Sequence, residues 1–204
     1  MPKELLNEAE RFLVEHWEEA RLLEESMEGV RTKYKELFQR ILDAVTEGHP
    51  ELDAQRSAVT QFWGVGYIGF GRRSWPGGES DSPSGLWLEN LRLEVLAAED
   101  SEAPIAYIWV SNKPKSNLDF DAARAAVNEA ARNLLTSEEL KRTENADSDN
   151  VLLYLSAPSK SELFRALSDG DGQGFVALFV AQFDLMARFV PPLDNVFREC
   201  LTKE

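Results

Sequence analysis

From residue 3 to residue 47 the chain places an apolar residue at alternating intervals of three and four. These seam positions read Leu6, Ala9, Leu13, His16, Ala20, Leu23, Met27, Val30, Tyr34, Leu37, Ile41 and Ala44; eleven of the twelve are apolar or aromatic. A stripe so narrow and so long is the pattern of a helix with one buried seam. Acidic and basic residues fill the other positions, as on solvated faces. Gly48 and Pro50 supply the stop. As one helix the segment would run roughly 65 Å at 1.5 Å per residue. It must therefore project from the domain, lie along it, pair with a second copy, or break, and Gly29 is the expected breakpoint of a helical hairpin. His16 on this seam reads as a register-setting polar residue, because a metal site needs more ligands than one histidine and no other Cys or His lies near.

From Val59 onward the period changes to two. Trp63, Val65 and Tyr67 alternate with Gly64 and Gly66, and Ile68 and Phe70 continue against Gly69 and Gly71 after a one-residue slip. Such a slip at Tyr67–Ile68 predicts a β-bulge. Seven of the twelve glycines lie between Phe62 and Gly85. Glycine at that density in a strand signals a bulge, a sharp bend or a surface close against the backbone. A polar loop, Ser74–Gly85, precedes a second strand over Leu86–Ala98. Its apolar face of Trp87, Leu91, Leu93, Val95 and Ala97 is interrupted by Glu89. The third strand, Ile105–Val110, is apolar on both faces and so belongs in the middle of the sheet.

Asn117 or Asp119 is a cap for the next helix, whose stripe is Phe120, Ala123, Val127, Ala131 and Leu134. A fourth strand, Val151–Ala157, follows, then a capping box of Ser159 and Glu162 and a short helix to about Leu167. A nearly all-apolar helix over Phe175–Val190 ends at Pro191-Pro192, and an amphipathic helix closes the chain. The fold class is α+β: a long N-terminal helix or helical hairpin, a mainly antiparallel sheet of about four strands in the order α-β-β-β-α-β-α-α, and a buried C-terminal helix. Residues 1–50 form the arm and 51–204 the α+β domain, packed as one unit.

The net charge of −14 is spread as −5 over residues 1–50, −3 over 51–118 and −6 over 119–204. It argues against sequence-independent binding to nucleic acid or anionic membranes. The lone cysteine, Cys200, excludes an intramolecular disulfide and, set among Val196, Phe197 and Leu201, reads as a packed thiol. The start MPKELLNEAERF carries no apolar signal-peptide core. Phe175–Val190 is too short to span a bilayer and contains Gln182, Asp184 and Arg188. A cytoplasmic protein is expected.

A meander of the first three strands brings the ends of the first and third to one edge. There the chain delivers Arg72 and Arg73, then Lys113 and Lys115, beside the positive N-terminal end of the helix near Asp119. With Trp75 as a stacking face on a mobile loop, these residues outline an anion site for a phosphate, an acidic peptide or a nucleic-acid backbone. Glu89, if buried, calls for a partner such as Arg72, Arg73 or Arg92. The stretch Asp169–Gly174 opens like a calcium loop, but its twelfth position is Val180 where a glutamate is needed. Glycines 64, 66, 69 and 71 are not followed by Gly-Lys-Ser/Thr, and no Ser-His-Asp or Cys-His set can be assembled from His16 and His49. No metal, cofactor or catalytic residue is assigned.

The order αβββαβ resembles the core of the restriction-endonuclease-like nucleases, across roughly residues 30–157. That resemblance implies an acid two positions before a lysine on the third strand. Here the matching stretch is Ser111-Asn112-Lys113, without the carboxylate, which implies at most a degenerate relative that binds without cutting. Two functions follow. One is a non-enzymatic interaction or regulatory domain that engages a protein partner or itself through the N-terminal helix. The alternative is a nucleic-acid- or phosphate-binding protein using the basic edge.

Overall fold

The computed structural model describes residues 7–50, 66–72, 74–77, 84–98, 100–111, 118–145, 150–168 and 172–201. The fold is α+β, in the order α1 (Glu8–Glu15), α2 (Trp17–Gly48), β1 (Ile68–Phe70), β2 (Gly85–Glu89), α3 (Leu93–Ala97), β3 (Ile105–Trp109), α4 (Phe120–Leu134), α5 (Ser137–Leu140), β4 (Glu144–Asn145), β5 (Val151–Leu155), α6 (Lys160–Ser168), α7 (Gln173–Ala187) and α8 (Val190–Leu201). The sheet order is β1-β2-β3-β5-β4, with every pairing antiparallel. The strand that is apolar on both faces, β3, sits at its centre, as expected.

The arm breaks at His16 and not at Gly29. His16, at φ −116° and ψ 39°, closes α1 and opens α2. From Trp17 the helix runs unbroken for 32 residues. A glycine in a helix interior costs about 1 kcal/mol, too little to interrupt a helix whose later turns are packed. Tyr34, Leu37, Phe38, Ile41, Leu42 and Val45 are buried. At roughly 1.5–3 kcal/mol for each large apolar side chain, their burial outweighs Gly29 several times over. Of the two expected forms, long helix or hairpin, the chain takes the long helix, with a short kinked extension.

Helix α7 buries Phe175, Val176, Phe179, Phe183 and Met186 on one broad face and leaves Ala177, Ala181 and Asp184 exposed on the other. Phe175 and Phe179 meet Phe38 of α2 at ring separations of 6.2 and 5.6 Å. Phe183 meets Phe70 of β1 edge-on at 4.6 Å. Among the described residues no single helix is long and apolar enough to cross a membrane. Pro191 and Pro192 do not stop α7, which already ends at Ala187. They sit in the first turn of α8, where a missing N–H breaks no helical hydrogen bond.

The second strand is shorter than its apolar residues suggest. Asn90 takes φ 62° and ends β2, its Nδ2 donating to the Ala103 carbonyl at 2.9 Å. Residues 93–97 then form α3. Leu86 and Leu88 face the main core, so the buried face of β2 is the even one, and Trp87 points the other way. Among the described residues β1 pairs from Ile68, and the earlier part of the expected strand, 59–65, lies outside them. Among the described residues the irregular step in the ladder lies at Ile108/Trp109, opposite β5. Local signals held better. Asp119 Oδ1 accepts from Ala122 N at 3.0 Å, and Ser159 and Glu162 form the reciprocal capping box.

Candidate functional site

The glycine-rich strand makes room for a tryptophan. A Cβ on Gly69 would come within 2.3–2.6 Å of three ring carbons of Trp87, its cross-strand neighbour. Trp87 pairs in turn with Tyr107, and Tyr107 with Tyr154. These rings, with Tyr67 and Trp109, cover the sheet face opposite the main core; among the described residues the buried apolar side chains of the helices belong to the main core. Glu89 lies at the end of this row and is half-buried. Being only half-buried it does not call for an arginine, and the Tyr107 phenol donates to Glu89 Oε1 at 2.6 Å.

Burial, reinforced by the Glu89 hydrogen bond and charge, pushes the Tyr107 phenol well above its ordinary range. Burial, with a smaller contribution from Glu94, does the same to Tyr34, whose hydroxyl donates to the Leu91 carbonyl. Both folded-state values lie above the ordinary phenol value of 10.0. The unfolded chain therefore loses these protons first as pH rises, and stability that is fully present below that value declines above it. Urea midpoints measured upward from neutral pH are expected to fall once pH passes about 10. The fall should be shallower in Tyr107→Phe and Tyr34→Phe.

At the basic edge the meander does place the ends of β1 and β3 together, and Arg72 lies there. Its side chain is partly buried. Arg72 forms an ion pair with Asp194 of α8, and the Trp75 indole N–H donates to the same carboxylate at 2.8 Å. Trp75 is 3% exposed and packs edge-on against Phe197 at 5.5 Å. The reading of Trp75 as an open stacking face on a mobile loop is therefore corrected: it is a buried anchor. The turn is further held by Ser84, whose hydroxyl donates to Pro76 O at 2.6 Å and accepts from Ser111 N at 2.9 Å. Arg73, Lys113 and Lys115 lie outside the described residues. Asp194 had no local signal, being 122 residues from Arg72 in sequence. Asp194→Ala is expected to cost about 1–2 kcal/mol, since it strips charge-assisted hydrogen bonds from two partly buried donors. Thermal unfolding checks the loss.

The third candidate is the arm itself. The face of α2 that is buried from Tyr34 to Val45 continues toward the N-terminus through Ala20, Leu23, Met27 and Val30, where it meets solvent. Leu23 is 65%, Met27 55% and Val30 45% exposed. Phe12, Leu13, Val14 and Trp17 extend the exposed apolar surface across the kink. Leu23, Met27 and Val30 also form one wall of a groove of about 520 Å³, with Leu93 and Ala97 of α3 and Phe164 of α6 opposite. At its end Arg31 pairs with Glu28 and Glu94 at 3.6 and 3.5 Å. The groove was not legible in the sequence, because residues 93–97 read there as strand.

Comparison with protein-family models, with curated proteins and with solved structures finds no match to this chain. Among the described residues no three His, Cys, Asp or Glu side chains form a group able to hold a metal ion.

Proposed function

We propose that this protein is a non-enzymatic interaction or regulatory domain, and that residues 8–31 are the element through which it engages a protein. One observation carries this reading: a single apolar face of α2 is buried over its second half and exposed over its first. Solvent-exposed apolar side chains add nothing to the stability of a monomer, whereas contiguous exposed apolar surface of this kind marks interaction sites. The anion-binding alternative draws less support. Arg72 and Trp75 are committed to Asp194.

Two results follow for the pair of substitutions Leu23→Asn and Met27→Asn. In the isolated chain their cost is expected to stay within about 0.5 kcal/mol, as for other exposed positions, read from urea midpoints. In cells, a photo-reactive residue at position 27 should yield protein adducts that one at Glu36, exposed on the opposite side of α2, does not. Equal adducts from both positions would remove the arm from consideration.

A further inference from the structure

We infer that the partner of the arm is a basic amphipathic helix, laid along Ala20–Val30 with its apolar side in the groove beside Phe164. This rests on the reading of the arm as an interaction surface and adds the chemistry of what covers it. The apolar wall asks for an apolar counterpart of similar width, which a helix with residues at i, i+3, i+4 and i+7 supplies. Charge then selects among helices. Residues 7–31 contain eight glutamates against three arginines, a net charge of −5 with His16 neutral. Two of those arginines are engaged locally, Arg21 by Glu18 and Glu25 and Arg31 by Glu28 and Glu94.

The seam of Ala20, Leu23, Met27 and Val30 is flanked by Glu19 and Ser26 on one side and by Glu24 and Arg31 on the other. In a parallel pair of helices these flanking positions meet across the interface and set partner choice. A second copy of this chain would set Glu19 against its partner's Glu24, a like-charge contact. It would offer no cation on the flanks except an arginine already held by Glu94. Lysine or arginine at the matching positions of another helix turns the same two glutamates from repulsive to attractive. Such a pair steers encounter and rejects acidic helices more than it adds affinity.

The full-length chain is titrated, by fluorescence anisotropy at about physiological salt, with two labelled synthetic helical peptides of about three heptads. Both carry leucine at the seam; one has lysine at the flanks and the other glutamate. The lysine peptide is expected to bind at least about tenfold more tightly than the glutamate peptide, a preference that shrinks as salt rises. Leu23→Asn with Met27→Asn should weaken it roughly a hundredfold, as loss of two central apolar anchors does. Glu19→Lys with Glu24→Lys should invert the preference between the peptides.

Equal binding of both peptides overturns the charge assignment. Binding of the lysine peptide that survives Leu23→Asn with Met27→Asn reflects bulk charge, and overturns both the proposed partner and the role of the arm. If the lysine peptide does not bind while the chain forms a dimer in sedimentation that the same double substitution abolishes, the basic partner fails and the arm stands as an interaction surface. Neither binding nor such a dimer overturns the proposal outright.

Discussion

Phe183→Ala is expected to remove about 3–5 kcal/mol of stability, the usual cost of deleting a fully enclosed aromatic ring. Phe183 is 0% exposed. It stands on α7 at the point where that helix meets the sheet, with the Phe70 ring 4.6 Å away. Because Phe70 belongs to a strand of only three residues, β1 has few other means of fixing its position against the helices. A domain of this kind holds about 5–15 kcal/mol in total, so the substitution should shift the urea midpoint far down or leave the chain partly unfolded at ambient temperature. Phe183→Leu, which refills most of the volume, should recover more than half of the loss. An alanine variant within about 1 kcal/mol of the parent would mean that α7 is not clamped between α2 and the sheet.

Gly69→Ala is the second large effect, and its sign is unusual. Replacing glycine in a strand ordinarily gains a few tenths of a kcal/mol to about 1 kcal/mol by restricting the unfolded chain. Here the new methyl would sit 2.3–2.6 Å from the Trp87 ring. That ring is 5% exposed and bounded by Tyr67 at a centroid distance of 5.7 Å, so it has little room to withdraw. The expected net cost is about 2 kcal/mol, in the range of overpacked cores, with a change in tryptophan fluorescence as the indole moves. Gly29→Ala supplies the opposite case. Nothing lies within 4 Å of a Cβ at position 29 and the site is an exposed helix interior, so alanine should stabilise by about 1 kcal/mol. Two glycines, changed to the same residue, are expected to move the denaturant midpoint in opposite directions.

What was readable in advance followed the range of the forces involved. The arm's helix, the cap at Asp119, the Ser159–Glu162 box and the helical, largely apolar character of Phe175–Val190 all come from residues within a turn or two of one another. Strand β3 could be placed at the centre because both of its faces are apolar. The second strand was overextended, since Leu91, Leu93 and Ala97 keep an alternating spacing that Asn90 cancels by turning the backbone into the left-handed region. Propensity alone points to Gly29 as the break in the arm, whereas α2 runs through that turn into its packed half and the chain bends at His16 instead.

For the candidate sites the division is sharper. The sequence alone determined that residues 3–47 carry one apolar seam among charged flanks and that the glycines between 64 and 71 mark a bulge, a bend or a close approach to a strand. Only the tertiary structure decided that the second half of that seam is buried and the first half exposed. It also decided that the space at Gly69 is filled by Trp87, and that Arg72 and Trp75 converge on Asp194. The reason is physical: periodicity and caps arise from neighbours along the chain, but burial and pairing depend on which surfaces dock. Asp194 is 119 residues from Trp75, and no local rule connects them until α8 packs against the turn that follows β1.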